Sequence, residues 1–377
     1  MFAKISFRFV LAAVYAHSFI ITACQSDAPQ IVFQSGHHGY DTFRIPALVV
    51  SANGTILAFA EGRKNSRSDA GDIDLVLKRS QDNGVTWSEL QVLRDDSTNT
   101  CGNPAPVVDQ TTGRIFLLST WNLGADRESE IIDQTSQESR RVFVMHSEND
   151  GETWSDAEEI TSHVKKANWT WYATGPGGGI QIERGVYKGR LVIPCDHIEA
   201  DSKHYYSHVI FSDDFGASWQ LGGRTPEHQV NECQVVELTN GHLLLNMRNY
   251  DPDNRLRQVA LSPDGGMTWT NQQFDTTLVE PICQASIRRY SWPGKKTENV
   301  ILFSNPAHPE KRINMTIRAS FDDAATWPLK YKLHAGPCAY SDLAVLSDGT
   351  ALCLYERGDE HPYETIVLAK FGLVDLR

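Results

Sequence analysis

Short apolar runs recur along the chain, each entered from a turn and each ending abruptly in polar residues. Six copies are visible: NGTILAFAEGR from Asn53, TGRIFLLSTWN from Thr112, KGRLVIPCDH from Lys188, NGHLLLNMRN from Asn240, TENVILFSNP from Thr297 and DGTALCLYER from Asp348. The runs are short and bounded by turn residues, and no stretch keeps a helical apolar period beyond a turn or two, so they predict strands. Gly54 and Gly349, in the first and last copies, give a mean spacing of about 59 residues. A second phrase interleaves with the first: SQDNGVTW from Ser80, SENDGETW from Ser147, SDDFGASW from Ser212, SPDGGMTW from Ser262 and SFDDAATW from Ser320, about 60 residues apart on average. An Asp/Asn–Gly turn of this kind joins two antiparallel strands, its Asx side chain accepting from nearby backbone N–H groups. The Thr or Ser and the Trp that follow open the next strand, and the Trp ring is expected to pack between neighbouring units.

Two interlocking periods near 60 predict six units of about four strands over residues 31–377. Units of that size bury their apolar faces best by radial repetition, so the expected fold is all-β, a single-domain six-bladed β-propeller. A tandem of separate small domains is the alternative, against which no Pro- or Ser-rich linker divides the chain. If the eight-residue phrase closes hairpins at one end of the strands, chemistry belongs at the other. There the runs end in Glu61 and Arg63, Trp121 and Asn122, Asp196 and His197, Arg248 and Asn249, Ser304 and Asn305, Glu356 and Arg357. Polar residues at six such ends predict the rim of one central pocket.

Composition narrows the function. The 377 residues are 41% hydrophobic and 22% charged, ordinary for a globular chain, and the formal charge of −12 argues against a nucleic-acid partner. An anionic ligand would need its positive partners gathered at one place. At the start, Lys4 and Arg8 precede FVLAAVYAHSFIITA, too short for a membrane span, which predicts an export signal over residues 1–24. Two cleavage readings stand. ITAC resembles the lipobox of bacterial lipoproteins and would leave a lipid on Cys24; ordinary cleavage near TACQS would free the protein. None of the seven cysteines forms a CxxC pair, so zinc and thioredoxin-like chemistry lack support, and buried free thiols are expected. No metal or cofactor is expected: His37 and His38 form an isolated pair in a loop. The GPGGG run lacks the Lys-Ser/Thr of a phosphate loop, and strand-like GIQIE follows it. Asn53, Asn168 and Asn314 head glycosylation sequons that matter only in a glycosylating host.

The phrase SxDxGxTW is an Asp box, and its order along the chain together with the stretches below resembles the exported bacterial and animal sialidases (neuraminidases) over essentially residues 31–377. FRIPAL, LLLNMRN and FSNPAHPEKRINM put Arg44, Arg248 and Arg312 at the positions of that family's three substrate-binding arginines. The resemblance implies that they clamp the carboxylate of sialic acid, a task for which a guanidinium's planar, permanently charged fork is better suited than a lysine. SDAGDIDLV supplies Asp69 as the implied acid/base, with Asp72 the competitor and Asp74 expected to point along a strand. VNECQVVEL and GPCAYSDLAVL supply Glu232 and Tyr340, the implied base and nucleophile. Arg63 is a further implied substrate contact, and WTWYATGPGGGIQ resembles the segment near the sugar's glycerol and N-acyl groups, making Trp171 and Tyr172 candidate contacts. Phe43 departs from the tyrosine usual before the first arginine: a hydroxyl is lost, the ring is kept.

The implied activity is an exo-α-sialidase that hydrolyses terminal sialic acid from glycoproteins, glycolipids or oligosaccharides with retention of configuration. A trans-sialidase would use the same residues. A catalytically silent sialic-acid-binding propeller would need neither Asp69, Glu232 nor Tyr340. The implied partners are sialylated glycans, with no nucleic acid and no transmembrane span, and the protein is expected to be a monomer. It is expected outside the cytoplasm: secreted or periplasmic, lipid-anchored at the cell envelope, or lysosomal or extracellular in an animal source.

Overall fold

A computed structural model describes residues 29–377; the expected export signal and Cys24 lie outside the described residues. The architecture is all-β, built from successive antiparallel meanders in chain order. The first contains β2 (Thr42–Val50), β3 (Ile56–Arg63), β4 (Ile73–Ser80) and β5 (Gln91–Arg94), while β1 (Gln30–Gln34) lies elsewhere. The second has β6 (Thr100–Val108), β7 (Ile115–Asn122), β8 (Arg141–Ser147) and β9 (Glu158–Glu159), with a short helix α1 (Glu128–Asp133) between β7 and β8 and α2 (Thr161–Val164) after β9. The third has β10 (Trp169–Thr174), β11 (Ile180–Gln181), β12 (Leu191–Glu199), β13 (Tyr205–Ser212) and β14 (Gln220–Arg224); the fourth has β15 (Val230–Glu237), β16 (Leu243–Asn249), β17 (Leu256–Ser262) and β18 (Thr270–Val279). In the fifth, β19 (Ser286–Ser291), β20 (Val300–Pro306) and β21 (Ile313–Ser320) pair with the first half of the long β22 (Leu329–Val345). The second half of β22 opens the sixth, with β23 (Ala351–Arg357), β24 (Thr365–Phe371) and, as its outer strand, β1 from the start of the chain.

The apolar runs become second strands buried on both faces; β3, β7 and β23 carry almost no exposed residue. They sit between neighbours because the core is divided into clusters that straddle consecutive meanders. Leu57 and Phe59 meet Ile115 and Leu117, Leu118 meets Ile193, Val192 meets Leu245, Val236 meets Ile301, and Leu302 meets Leu343. A further cluster joins Leu354 and Leu368 of the last meander to Leu48 and Ile56 of the first, with Val32 and Phe33 of β1 between them. Burial at these joints, at about 1.5–3 kcal/mol per large side chain, is what makes the meanders depend on one another.

The boxes lie where expected. Ser80, Ser147, Ser212, Ser262 and Ser320 each pair with the opening residues of an apolar run: Ile56, Ile115, Leu191, Leu243 and Ile301. The polar run ends therefore stand toward the opposite end of the strands, three to seven residues and roughly 10–23 Å away. In the fourth box Asp264 accepts from Thr268 N (2.8 Å) and Thr268 Oγ1 (2.7 Å), while Ser262 Oγ accepts from Gly266 N (2.8 Å). The Trp rings reach the preceding meander, Trp154 edge-on to Phe59 and Trp219 edge-on to Phe116. The fifth box places Ala324 at φ 66°, where the others use glycine.

Where the inner strands converge, the GPGGG run passes between them. A Cβ on Gly179 would lie 2.6 Å from Val192 O and one on Gly177 2.4 Å from Gln234 Nε2, so only glycine fits. Asp342 is the hub, accepting from Leu48 N (2.8 Å), Gly178 N (2.7 Å) and Ser286 Oγ (2.8 Å), groups from three other meanders. Cys101, Cys195, Cys233, Cys283, Cys338 and Cys353 are buried and unpaired, as the sequence led one to expect. No helix among the described residues is long and apolar enough to cross a membrane.

Candidate active site

A cavity of about 220 Å³ opens at the polar ends of the inner strands. Arg44, Arg63, Asp69, Trp171, Glu232, Arg248, Arg312 and Tyr340 all line it, so strands from different meanders bring eight of the nine predicted site residues together. Tyr172 is the exception. Alternation along β10 sends Trp171 and Ala173 to the cavity and turns Tyr172 into the core, fully buried and 5.0 Å from the His208 ring. It is not a wall residue.

At the floor, Tyr340 Oη donates to Glu232 Oε1 at 2.6 Å and accepts from Arg248 Nη1 at 3.0 Å, while the same Nη1 donates to Glu232 Oε2 at 2.6 Å. Burial first, and then the Glu232 carboxylate, push the Tyr340 phenol well above its usual range, against the opposing pull of Arg248 and Arg312. The phenol is therefore neutral at neutral pH, with a carboxylate in place to take its proton. The other two arginines flank the same ring: the Arg44 and Arg312 guanidinium carbons lie 5.2 and 5.6 Å from its centre. Arg44 also stacks on Tyr363 at 4.0 Å, whose hydroxyl accepts from Arg312 Nη1 at 2.9 Å.

Glu356, at the end of β23, fixes this floor from below. Its Oε1 accepts from Arg44 Nε (2.8 Å) and Ile45 N (3.0 Å), and its Oε2 accepts from Tyr340 N (3.0 Å). Engaging Nε leaves the outer nitrogens of Arg44 facing the cavity. Sequence reading placed Glu356 at a run end and gave it no role, because its partners are distant in the chain.

Asp69 stands on the loop after β3 with its side chain 70% exposed, and its Oδ1 is 2.8 Å from Arg63 Nη1 and 3.7 Å from Arg44 Nη1. Partial burial opposes ionisation, but Arg63 and then Arg44 outweigh it and hold the carboxyl below the usual range. Asp72 and Asp74 are turned away, both 3.1 Å from Lys64 Nζ, and Asp74 also accepts from Tyr40 Oη at 2.6 Å. Arg63 is held by Glu61 Oε2 (2.6 Å), and Glu61 Oε1 accepts from Asn103 N (2.8 Å). Phe43 packs between Phe33 and Tyr40, each ring centre 5.3 Å from its own, so the ring keeps its aromatic setting without a hydroxyl.

Asn103, Glu128, Arg140, Asp196 and Asn231 complete the lining, and of these only Asp196 stands at one of the run ends expected to form the rim. Arg140 lies 3.8 Å over the Trp171 ring and donates to Asn122 and Thr120. The lining thus carries five arginines and five carboxyl groups, a local concentration of cations in an acidic protein. Beside the cavity and sharing Asp69, Glu128 and Tyr250 with it is a trough of about 970 Å³, where Tyr205 and Tyr250 stack at 5.2 Å.

Comparison with known proteins agrees with this geometry. Residues 54–353 match the family described as BNR repeat-like domain. Sialidase-3 of Homo sapiens is 30% identical over 409 aligned residues, covering 93% of each chain. The chain belongs to the sialidase family. A sialidase of Micromonospora viridifaciens is 32% identical over 351 residues, covering 90% of this chain and 53% of its own, and one of Bacteroides fragilis is 30% identical with 62% of its length covered. This member thus spans about half to three-fifths of those two bacterial sialidases. Among solved structures, the microbial sialidase Hz136 superposes with a TM-score of 0.83 at 30% identity, covering 93% of this chain and 69% of its own. An intramolecular trans-sialidase of Ruminococcus gnavus gives 0.79 at 20% identity, with 93% and 99% covered, a likeness of fold.

Proposed function

We propose that this sialidase-family protein is an exo-α-sialidase that cleaves terminal sialic acid from glycoconjugates with net retention of configuration. The observation that carries the reading is the triangle of Tyr340, Glu232 and Arg248 on the cavity floor, flanked by Arg44 and Arg312. Arg44, Arg248 and Arg312 take the sugar's carboxylate, each charge-assisted hydrogen bond contributing roughly 1.5–3 kcal/mol. The anomeric carbon bears that carboxylate, so a carboxylate nucleophile would be repelled, and a phenol is not. Tyr340 attacks as Glu232 takes its proton, and Asp69 gives its proton to the departing glycosidic oxygen. Water assisted by Asp69 then releases the sugar from Tyr340. Asp69 is ionised while Arg63 and, more weakly, Arg44 hold it, so its protonation has to accompany substrate binding. The trough beside Asp69 gives the departing glycan room.

The wider reading follows the same support. The six meanders, joined by clusters that include one linking last to first, act as six blades around the cavity in one domain over residues 31–377. The leading segment acts as an export signal, and the protein works outside the cytoplasm as a monomer. A fluorinated sialic-acid inactivator should label Tyr340 alone, read by peptide mass spectrometry. NMR of the reaction should show the α-anomer of free sialic acid first; the β-anomer first would end the nucleophile assignment. Binding of sialosides without turnover would identify a silent lectin instead.

A further inference from the structure

A second cavity, of about 110 Å³, lies at the other end of the inner strands and shares no lining residue with the first. Val50, Val108, Gln181, Glu237 and Arg289 line it, and each pairs with the opening residue of an apolar run, the end at which the box serines stand. Its inner wall is apolar: Val107 and Val236 are each 1% exposed and Val108 is 6% exposed. Against this wall stand two arginines from consecutive positions of β19. Arg289 is anchored, its Nη2 donating to Glu237 O at 2.6 Å with Asp323 Oδ1 3.2 Å away. Its side chain is only 8% exposed, yet its Nε is buried with no partner, an uncommon state that calls for an explanation. Arg288 is less committed still. Its Nη1 donates to Gly179 O at 2.9 Å, and among the described residues its other nitrogens donate to no protein group. Asp342 and Glu183 are the acids that act on it, and neither forms an ion pair with it. The carboxylates of the lining are engaged elsewhere: Glu237 accepts from Glu183 N (2.7 Å) and Arg184 N (3.0 Å), and Glu183 Oε2 accepts from Trp292 Nε1 (2.9 Å).

We propose that this box-end cavity is a binding site for a small organic monocarboxylate, its carboxylate on the free edge of Arg288 and its short apolar body against Val50, Val108 and Val236. Two guanidiniums beside carboxylates that are already engaged disfavour a cation. A guanidinium is charged at any working pH, and its planar fork matches a carboxylate. A phosphate dianion would bring a second charge that the valine wall cannot solvate. The volume sets the size of the ligand. Cavities of about 150 Å³ admit benzene, so the room here suits one ring or a short branched chain, and neither a peptide nor a nucleotide. The site stands apart from the proposed activity, because the box ends of the strands hold it and none of its residues reaches Tyr340.

The probe is benzoate, titrated against the protein by saturation-transfer NMR, with benzamide as the neutral molecule of the same shape. Benzoate should saturate with a Kd of about 0.1–5 mM, the range open to a ligand of so few atoms, and benzamide should bind at least about tenfold more weakly. Arg288→Met keeps an apolar stem and removes the charge, and should weaken benzoate by about tenfold or more. Val50→Phe fills the cavity from the opposite wall with the arginine intact and should weaken it as much. That second variant decides the matter if Arg288→Met does not fold, which urea unfolding reads directly. Arg312→Met removes an arginine of the other cavity and should leave the Kd within about twofold. Equal binding of benzamide, no saturation below about 20 mM, or an unchanged Kd in either folded cavity variant would overturn the proposal. So would loss of binding in Arg312→Met, which would put the probe beside Tyr340 instead.

Discussion

Tyr340 illustrates how much of a site a single residue can disclose. A tyrosine is ordinarily a core residue, and only the flanking CAYSDL stretch marked this one. The structure adds what motifs could not carry: a partner at 2.6 Å, Glu232, 108 residues earlier in the chain. The three arginines were legible for the same reason, each lying inside a recognisable stretch, whereas Glu356 and Tyr363 act only through contacts with Arg44 and Arg312 that no local pattern announces. Tyr172, an expected contact, lies in the core; the WTWY stretch does not say which alternate positions face inward. Replacing Arg312 by Lys should lower kcat/KM by about 10–100-fold, because a point charge cannot reproduce the paired contacts; steady-state kinetics on a fluorogenic sialoside reads it. Glu356→Gln should do at least as much harm. It leaves the buried Arg44 charge uncompensated, and breaking such a pair costs about 3–5 kcal/mol, so both catalytic efficiency and the urea midpoint should fall.

Among the elements, the Asp-box hairpins give the sharpest expectations. Their regularity in the sequence follows from what each must do locally: a serine and an aspartate satisfy the backbone of one tight turn, and every partner lies within six residues. Hydrogen bonds from Thr or Ser hold Asp214, Asp264 and Asp322 below the usual carboxylate range despite some burial. A group depressed in the folded state contributes stability that is complete above its unfolded pKa, about 3.9, and is lost as the pH falls through its folded value. Unfolding free energy should therefore be flat from this source between pH 5 and 7 and decline below about pH 4, as urea titrations across that range would show. Asp264→Ala should cost roughly 1–2 kcal/mol at pH 7, and less in acid. The least legible element is β1, the outer strand of the last meander. The QIVFQ run of β1 looks like any other, and nothing in it says that its partner is β24, more than 300 residues away.

For the molecule as a whole, the two periods near 60 announced the count of meanders, because each apolar run needs the same turn before it and the same hairpin after it. What they could not announce is how the last meander meets the first. Val32 and Phe33 fill that joint, 2% and 1% exposed. Phe33→Ala should cost about 3–5 kcal/mol in urea unfolding, since it empties a contact shared by two meanders. The same strand has another consequence. Gln30 Nε2 donates to Val85 O in the first box, and Lys370 Nζ, near the other end, donates to Asn83 O in the same box. Both ends of the described chain leave from the box side, across the molecule from the cavity of Tyr340 and Glu232. Anything grafted to either end, whether a fatty acyl tether, a second module or a resin-bound tag, would dock the molecule by its back and leave the mouth of the cavity facing outward.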